Sequence, residues 1–324
     1  MWNKLASLQK NLVYSIPAFM ILGITFGYFS EPGFLRSTIM PMTFLMVYPM
    51  MVNLQIKKVF SGGDLKVQLV TQIINFAIIP FFAYGLSRVF FKDEPLIALG
   101  LLLASLLPTS GMTISWTGFA KGNINAAIKM TVIGLMIGSL ATPLYAKWLM
   151  GTAVEIPLAD VFKQIALIVF LPMIAGAITQ RLLINRYGEA HYNNEFKKKF
   201  PQISTLGVLG IVFVAMSLKA KTILSQPFML VSLLIPLLIL YGMNFVLSSL
   251  VGKYFFGRGE GIALVYGTVM RNLSIALAIA MTVFGPQGSD IALIIALAYI
   301  IQVQAAAWYV KYTDRIFGPH NNAE

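Results

Sequence analysis

Residues 106–117 read LLPTSGMTISWT, and they place a proline, a glycine and five hydroxyl side chains inside an otherwise apolar run. Pro108 has no backbone N–H and its ring clashes with the preceding turn, so we expect a helix break near residues 104–109. Gly111 weakens the helix further. The hydroxyls beside the break predict a polar site, although each hydroxyl taken alone is also typical of bonding back to its own helix.

The composition places this stretch in a membrane. Of the 324 residues 58% are hydrophobic and only 11% are charged, and the mean hydropathy is +0.78. Too few charges remain to coat a soluble body or to keep a chain disordered, and the apolar runs are too long for barrel strands. The sequence therefore predicts an all-α polytopic membrane protein, with the lipid bilayer as its solvent.

Several kinds of chemistry are excluded or disfavoured. The chain has no cysteine and only two histidines, His191 and His320, both in polar stretches, so we expect no metal site and no cofactor. Soluble-enzyme signatures are absent, which favours a protein that is not an enzyme. The net charge of +12 is explained by cytoplasmic loops and anionic lipid rather than by nucleic acid.

Apolar runs between charged, glycine and proline residues predict ten membrane spans. Their approximate bounds are 12–29, 38–55, 67–89, 96–119, 124–148, 158–180, 203–219, 228–251, 261–284 and 290–311. Apart from Arg271, seven of the 24 Lys and Arg residues fall on one side of the membrane and sixteen on the other. Because basic residues collect in the cytoplasm, we expect a plasma-membrane protein with both termini cytoplasmic.

The two most polar stretches within spans lie half a chain apart. Pro108 opens the first, and Met270, 162 residues later, lies in the second, YGTVMRNLS (266–274). An odd number of spans in each half inserts the halves in opposite orientations, as in transporters built from inverted repeats. We therefore predict two inverted five-helix repeats with interrupted fourth and ninth helices.

The stretch RYGEAHYNNEFKKKFP (186–201) is the only long polar segment, and we interpret it as a cytoplasmic loop. We accordingly divide the chain into 1–185 with spans one to six, a linker at 186–202, and 203–324 with spans seven to ten. Functionally, residues 1–324 form one transporter domain.

Arg271 is the strongest single signal in the sequence. It lies about 15 Å from the polar start of its span, hence near the middle of the hydrocarbon. An unpaired cation there costs at least about 2.5–3.5 kcal/mol, and its own helix offers no carboxylate within reach. Either Arg271 caps the carbonyl end of a broken half-helix or an anion neutralises it. Thr268, Asn272 and Ser274 lie within one turn.

Other polar residues within the spans are more typical of hydrogen bonds between helices than of ligand binding. They are Gln72, Asn75, Tyr241, Asn244, Gln302 and Gln304.

Three motifs carry a resemblance to a known family. PTSGMTISWTGFAKGN (108–123), MVYPMM (46–51) and RNLSIALAIAMTVFG (271–285) resemble the fourth, second and ninth spans of the arsenical-resistance permeases. The ten-span pattern is similar to the wider bile acid:sodium symporter superfamily. The resemblance implies a panel domain, a core domain with fourth and ninth helices that cross at their breaks, and alternating access between the two.

The chain also departs from that pattern. The arsenite permeases have a cysteine where this chain has Thr109, and a ninth-span glutamate where it has Ile275. The sodium-coupled members bind their ions with residues that correspond here to Thr113, Ile114, Ala127, Thr131, Gly267 and Arg271. Only the hydroxyls of Thr113 and Thr131 survive, so a sodium site is doubtful.

These observations predict a secondary transporter of a small, anionic solute. The predicted substrate-binding residues are Thr109, Ser110, Thr113, Arg271, Asn272 and Ser274. Candidates for an ion site are Thr113, Thr131, Lys129 and Thr268; Lys129 either reaches the cytoplasmic surface or supplies a fixed cation in place of sodium. The alternatives are an arsenite or antimonite efflux permease and, from another class, a channel or membrane sensor.

The charge distribution gives a first testable prediction. Reporter fusions at Glu324 and within residues 189–195 should both report a cytoplasmic location, because basic residues anchor those segments inside. A periplasmic signal from either fusion would contradict the predicted number of spans.

Overall fold

The computed structural model describes residues 2–55, 63–226 and 228–319, and these residues form helices joined by short turns, with no strand among them. The prediction of an all-α protein is confirmed. Lys57, Lys58, His320 and Glu324, which enter the sequence argument, lie outside the described residues.

The helices follow the predicted spans closely. They are α1 (Trp2–Lys10), α2 (Leu12–Phe29), α3 (Ile39–Val52), α4 (Leu65–Ile73), α5 (Ile79–Phe90), α6 (Pro95–Leu106), α7 (Gly111–Phe119), α8 (Ile124–Met150), α9 (Leu158–Ile165), α10 (Leu171–Tyr187), α11 (Glu189–His191), α12 (Lys197–Ser225), α13 (Phe228–Phe255), α14 (Arg258–Val269), α15 (Leu273–Val283) and α16 (Gly288–Phe317). Helical turns of the 3-10 type precede α3 and α16, and π-helical turns continue α4 into α5, α9 into α10 and α11 into α12.

Within the described ranges, seven helical segments are long and apolar enough to cross a bilayer. They are Pro32–Val52, Leu65–Phe90, Ile124–Met150, Leu158–Tyr187, Glu189–Ser225, Phe228–Phe255 and Gly285–Phe317. The chain is therefore a multi-pass membrane protein, whereas a total of ten spans in two inverted repeats stays a prediction.

The expected loop at 186–202 is wrong. Only Gly188 interrupts the helix there, with φ of +83°, and helical structure resumes at Glu189 and runs on to Ser225. Tyr192 explains this: it is buried, and its hydroxyl donates to Asn53 Oδ1 at 2.9 Å and to Val52 O at 3.0 Å. The polar residues of the segment are thus the exposed side of a helix and not a free loop.

The chain folds into two compact units, each made of separate stretches. The first unit comprises Met1–Leu54, Ile156–Leu233 and Leu273–Ile300. In it α12 packs tightly on α2 and α3. A Cβ at Gly27 of α2 would lie 2.1 Å from Ser217 O, and a Cβ at Gly207 of α12 would lie 2.4 Å from Met46 N. Such approach of backbones through small residues is how helices associate in membranes, where lipid is as apolar as the side chains.

The second unit comprises Gln55–Glu155, Leu234–Asn272 and Ile301–Glu324, and it holds α6 and α7 together with α14. Arg258, at the start of α14, connects this helix to the ends of two other helices of the second unit, α7 and α16. The guanidinium donates to Lys121 O after α7, to Gly318 O after α16 and to the Asp314 carboxylate. Carbonyls at helix C-termini lack internal partners, so this cation satisfies them and opposes their negative dipoles.

Candidate functional site

The first break separates α6 from α7 and runs from Leu107 to Ser110, as Pro108 predicts. The chain re-enters a helix through a capping box. Ser110 Oγ accepts from Met112 N at 3.2 Å, and Thr113 Oγ1 accepts from Ser110 N at 3.2 Å. These hydroxyls satisfy main-chain donors that a helix N-terminus leaves without partners.

Thr109 lies at the centre of this break in the left-handed region, with φ of +64°, and is fully buried. Its hydroxyl directs its proton to Pro108 O at 2.6 Å and Thr131 O at 3.2 Å. A Cβ at Gly134 would lie 2.7 Å from Thr109 Oγ1, and one at Gly138 would lie 2.9 Å from Pro108 Cδ. Gly134 and Gly138 are a G-x-x-x-G pair on α8, and because they have no side chains the break packs directly against that helix.

The second break separates α14 from α15 at residues 270–272, within the polar cluster singled out above. It pairs with the first through main-chain groups. Pro108 and Arg271 form an antiparallel bridge, and Asn272 N–H donates to Leu107 O at 2.7 Å. Each break therefore supplies partners for groups that the other break sets free.

Asparagines from two neighbouring helices cap the carbonyl end of α14. Asn75 Nδ2 donates to Gly267 O at 3.0 Å, and Asn244 Nδ2 donates to Thr268 O at 2.9 Å. Asn75 lies in the π-helical turn between α4 and α5, a kind of irregularity that often occurs at functional sites.

Gln302 of α16 completes the capping. Its Oε1 accepts from Arg271 N at 2.8 Å, and its Nε2 donates to Arg271 O at 3.1 Å. The Tyr241 hydroxyl also donates to Oε1, at 2.9 Å. The prediction of helix–helix hydrogen bonds is thus confirmed for Asn75, Asn244, Tyr241 and Gln302, whereas Gln72 has no side-chain partner within the described residues.

The guanidinium of Arg271 is left out of this network. The residue is 3% exposed, and neither Nη1 nor Nη2 has a hydrogen-bond partner among the described residues. Of the two roles that the sequence left open, capping the broken helix falls to the amides just described.

Other predicted site residues are engaged elsewhere. The Thr268 hydroxyl bonds with Ser248 at 2.6 Å, and Thr131 Oγ1 donates back to Ala127 O at 2.8 Å. Ser274 belongs to the first unit, where its hydroxyl bonds with that of Tyr299. Of the predicted residues, the paired breaks of the second unit hold Thr109, Ser110, Arg271 and Asn272, and Thr113 lies in the first turn of α7.

Lys129 is buried and forms an ion pair with Asp64 at 2.5 Å. Asp64 directly precedes α4, and Gln68 of that helix donates to its other carboxylate oxygen at 3.3 Å. Lys129 therefore neither reaches the surface nor stands as an uncompensated cation. The sequence did not reveal this partner, because 65 residues separate the two charges.

The position that corresponds to a sodium-binding glutamate is packed with apolar atoms. A Cβ at Gly267 would lie 2.6 Å from Met130 Sδ and 3.3 Å from Thr71 Cγ2. A side chain at this position would therefore require Met130 to move.

The model of the sodium bile acid symporter family matches residues 40–226. The arsenical-resistance protein Acr3 of Alkaliphilus metalliredigens is 25% identical over 84% of this chain and 79% of its own length. Acr3 of Corynebacterium glutamicum is 22% identical over 83% and 80%, and sodium/bile acid cotransporter 7 of Danio rerio is 26% identical over 38% and 41%.

The Lys129–Asp64 pair yields a stability prediction. Lys129→Met should lower the free energy of unfolding by about 3–5 kcal/mol, because it leaves a buried carboxylate without its cation. The measurement is detergent unfolding of the purified protein. Lys199→Met is the control, since its pair with Glu195 is exposed and i,i+4 pairs contribute only about 0.3–0.5 kcal/mol.

The double variant Asp64→Asn/Lys129→Met should recover part of the loss. A Lys129→Met effect no larger than that of Lys199→Met would contradict a stabilising role for the pair.

Proposed function

The chain belongs to the sodium bile acid symporter family and is a membrane secondary transporter, and we propose that it moves a small anionic solute, which binds at the paired breaks of α6–α7 and α14–α15. Transport proceeds by alternating access in the plasma membrane. The ten spans form two inverted repeats, and both termini are cytoplasmic.

The observation that carries this proposal is the buried guanidinium of Arg271, whose Nη1 and Nη2 have no partner in the described part of the chain. Leaving a cation unpaired in a low-dielectric site is costly, and such charges within membranes mark substrate and ion pathways. Asn75, Asn244 and Gln302 already satisfy the carbonyl groups around the break, so Arg271 is not required as their cap. An anion that accepts from both terminal nitrogens compensates the charge.

Sodium independence is part of the proposal, although the family is named for sodium. Met130 fills the space beside Gly267, and the Thr131 hydroxyl is bonded to its own helix. The hydroxyl of Thr113 accepts from the main chain of Ser110. Hydroxyls supply no charged oxygen of the kind that a hard cation prefers, and Gly267 has no side chain to supply one.

The test measures anion binding and transport by the purified full chain. Thermal shifts against acetate, phosphate, sulfate and a conjugated bile acid should identify a stabilising anion, because a ligand that binds the folded state raises its stability. Arg271→Gln should weaken that binding by about tenfold or more, the value of a charge-assisted hydrogen bond. Arg36→Gln is the control, since it removes an equal charge from an exposed position.

Transport of the same anion into proteoliposomes should continue when potassium replaces sodium. A strict sodium requirement, or equal binding by the unmutated protein and Arg271→Gln, would overturn the proposal.

Arsenite efflux is the second candidate, because two relatives are arsenical-resistance proteins that align over more than four fifths of the chain. Arsenite is held tightly by soft thiolates, and this chain has no cysteine. The hydroxyl of Thr109, at the position of the permeases' cysteine, is directed to two carbonyl oxygens.

We therefore expect little or no protection when the unmutated protein is expressed in an arsenite-sensitive strain. Thr109→Cys should increase resistance if the site otherwise accommodates arsenite, and Thr109→Ser serves as the control without a thiol. Strong resistance from the unmutated protein would reverse the order of the two candidates.

A further inference from the structure

We propose that Gln302 is a positioning residue that aims the Arg271 guanidinium at the anion, and that Tyr241 keeps the Gln302 amide oxygen from accepting a hydrogen bond from that guanidinium. The inference rests on the proposed function, in which Arg271 binds the solute. It assigns a role to a residue 31 positions away in the chain, on a different helix.

Gln302 bonds to both main-chain polar groups of the residue that carries the charge. The Oε1 atom accepts from Arg271 N at 2.8 Å, and Nε2 donates to Arg271 O at 3.1 Å. A two-point contact of this kind fixes the peptide groups on both sides of the Arg271 Cα, as a neighbouring strand would. On the other break, Pro108 bridges with Arg271 and Leu107 O accepts from Asn272 N–H. The direction in which the Arg271 side chain leaves the backbone is thus set from two sides.

Tyr241 decides how the amide of Gln302 is used. A carbonyl oxygen has two lone pairs, and those of Gln302 Oε1 accept from Arg271 N–H and from the Tyr241 hydroxyl. With both occupied, this oxygen has no capacity to accept from the guanidinium. Because Arg271 N–H is a donor, the Gln302 amide atom that faces it must be the oxygen, and this contact assigns the orientation of the amide. Gln302 therefore holds the backbone of Arg271 while leaving its charge for a ligand.

Asn244 is a matched control that distinguishes positioning of Arg271 from general support of the broken helix. Its amide also caps a carbonyl of the same broken helix, Thr268 O at 2.9 Å. That bond lies three residues before Arg271 and touches neither of its polar groups. Replacement of Asn244 removes a cap of the same chemistry but leaves the two-point hold on Arg271 in place.

The experiment is a double-mutant cycle on the full chain in detergent, with acetate, phosphate, sulfate and the conjugated bile acid as probes. Gln302→Leu should weaken binding of the stabilising anion by about tenfold, since misdirection forfeits a hydrogen bond to a charged group. In the Arg271→Gln background the same substitution should change affinity by less than about twofold, because effects that act through a shared partner are not additive. Asn244→Leu should lower the unfolding temperature while affinity stays within about twofold of the unmutated value.

Gln302→Glu covers the case in which Gln302→Leu fails to fold. It keeps the acceptor oxygen for Arg271 N–H and Tyr241, loses the donor to Arg271 O, and adds a negative charge that contacts the main chain of Arg271. We expect a folded protein whose anion affinity falls at least as far as that of Gln302→Leu, and unchanged affinity would overturn the inference.

The outcomes distinguish the two proposals. If Arg271→Gln weakens anion binding but Gln302→Leu does not, or if Gln302→Leu acts equally in both backgrounds, the positioning role is wrong and the proposed function stands. If Arg271→Gln leaves anion binding unchanged, the proposed function fails and the positioning role fails with it.

Discussion

Main-chain N–H and C=O groups have no water to bond with inside a bilayer, and two helices of this chain give up their internal partners where they are interrupted. The arrangement of the second unit follows from that constraint. The break between α6 and α7 and the break between α14 and α15 exchange main-chain contacts, and three amides take further groups. Glycines of α8 then allow Pro108 and Thr109 to lie close against that helix. Neither break is satisfied by its own helix alone, so each also depends on distant parts of the chain.

Four cations among the described residues, of which Lys129 and Arg271 are buried and Lys219 and Arg258 partly buried, differ in how their charge is compensated. Lys129 has the Asp64 carboxylate as its partner, and Lys219 of the first unit forms an ion pair with Asp290. Arg258 has both a carboxylate and helix C-termini. Arg271 lies at a break where amides already cap Gly267 O and Thr268 O, and its Nη1 and Nη2 have no partner in the described part of the chain, which is why we propose that its charge serves binding.

The sequence predicted the features that depend on local chemistry. Pro108 lacks a backbone donor and forces the first break. No proline or glycine lies at residues 270–272, and the second break was predicted from the charge of Arg271 within an apolar run. Partners that lie far apart in the chain were not predictable, such as Asp64 for Lys129. The helical structure of 186–202 was not predictable either, because a polar composition is typical both of a loop and of an exposed helix face. The burial of Tyr192 favours the helix, and the sequence alone does not show that burial.

Gln302 follows Arg271 in the sequence, so the hydrogen bonds between them form only after both helices have been synthesised. Gln302 lies in α16, so the ribosome delivers α14 and Arg271 to the membrane before their partner exists. Until α16 inserts, the N–H and C=O of Arg271 lack their amide partner, and polar main-chain groups without partners are costly inside a bilayer. Insertion of α16 is therefore the point in synthesis at which the second break gains these two bonds.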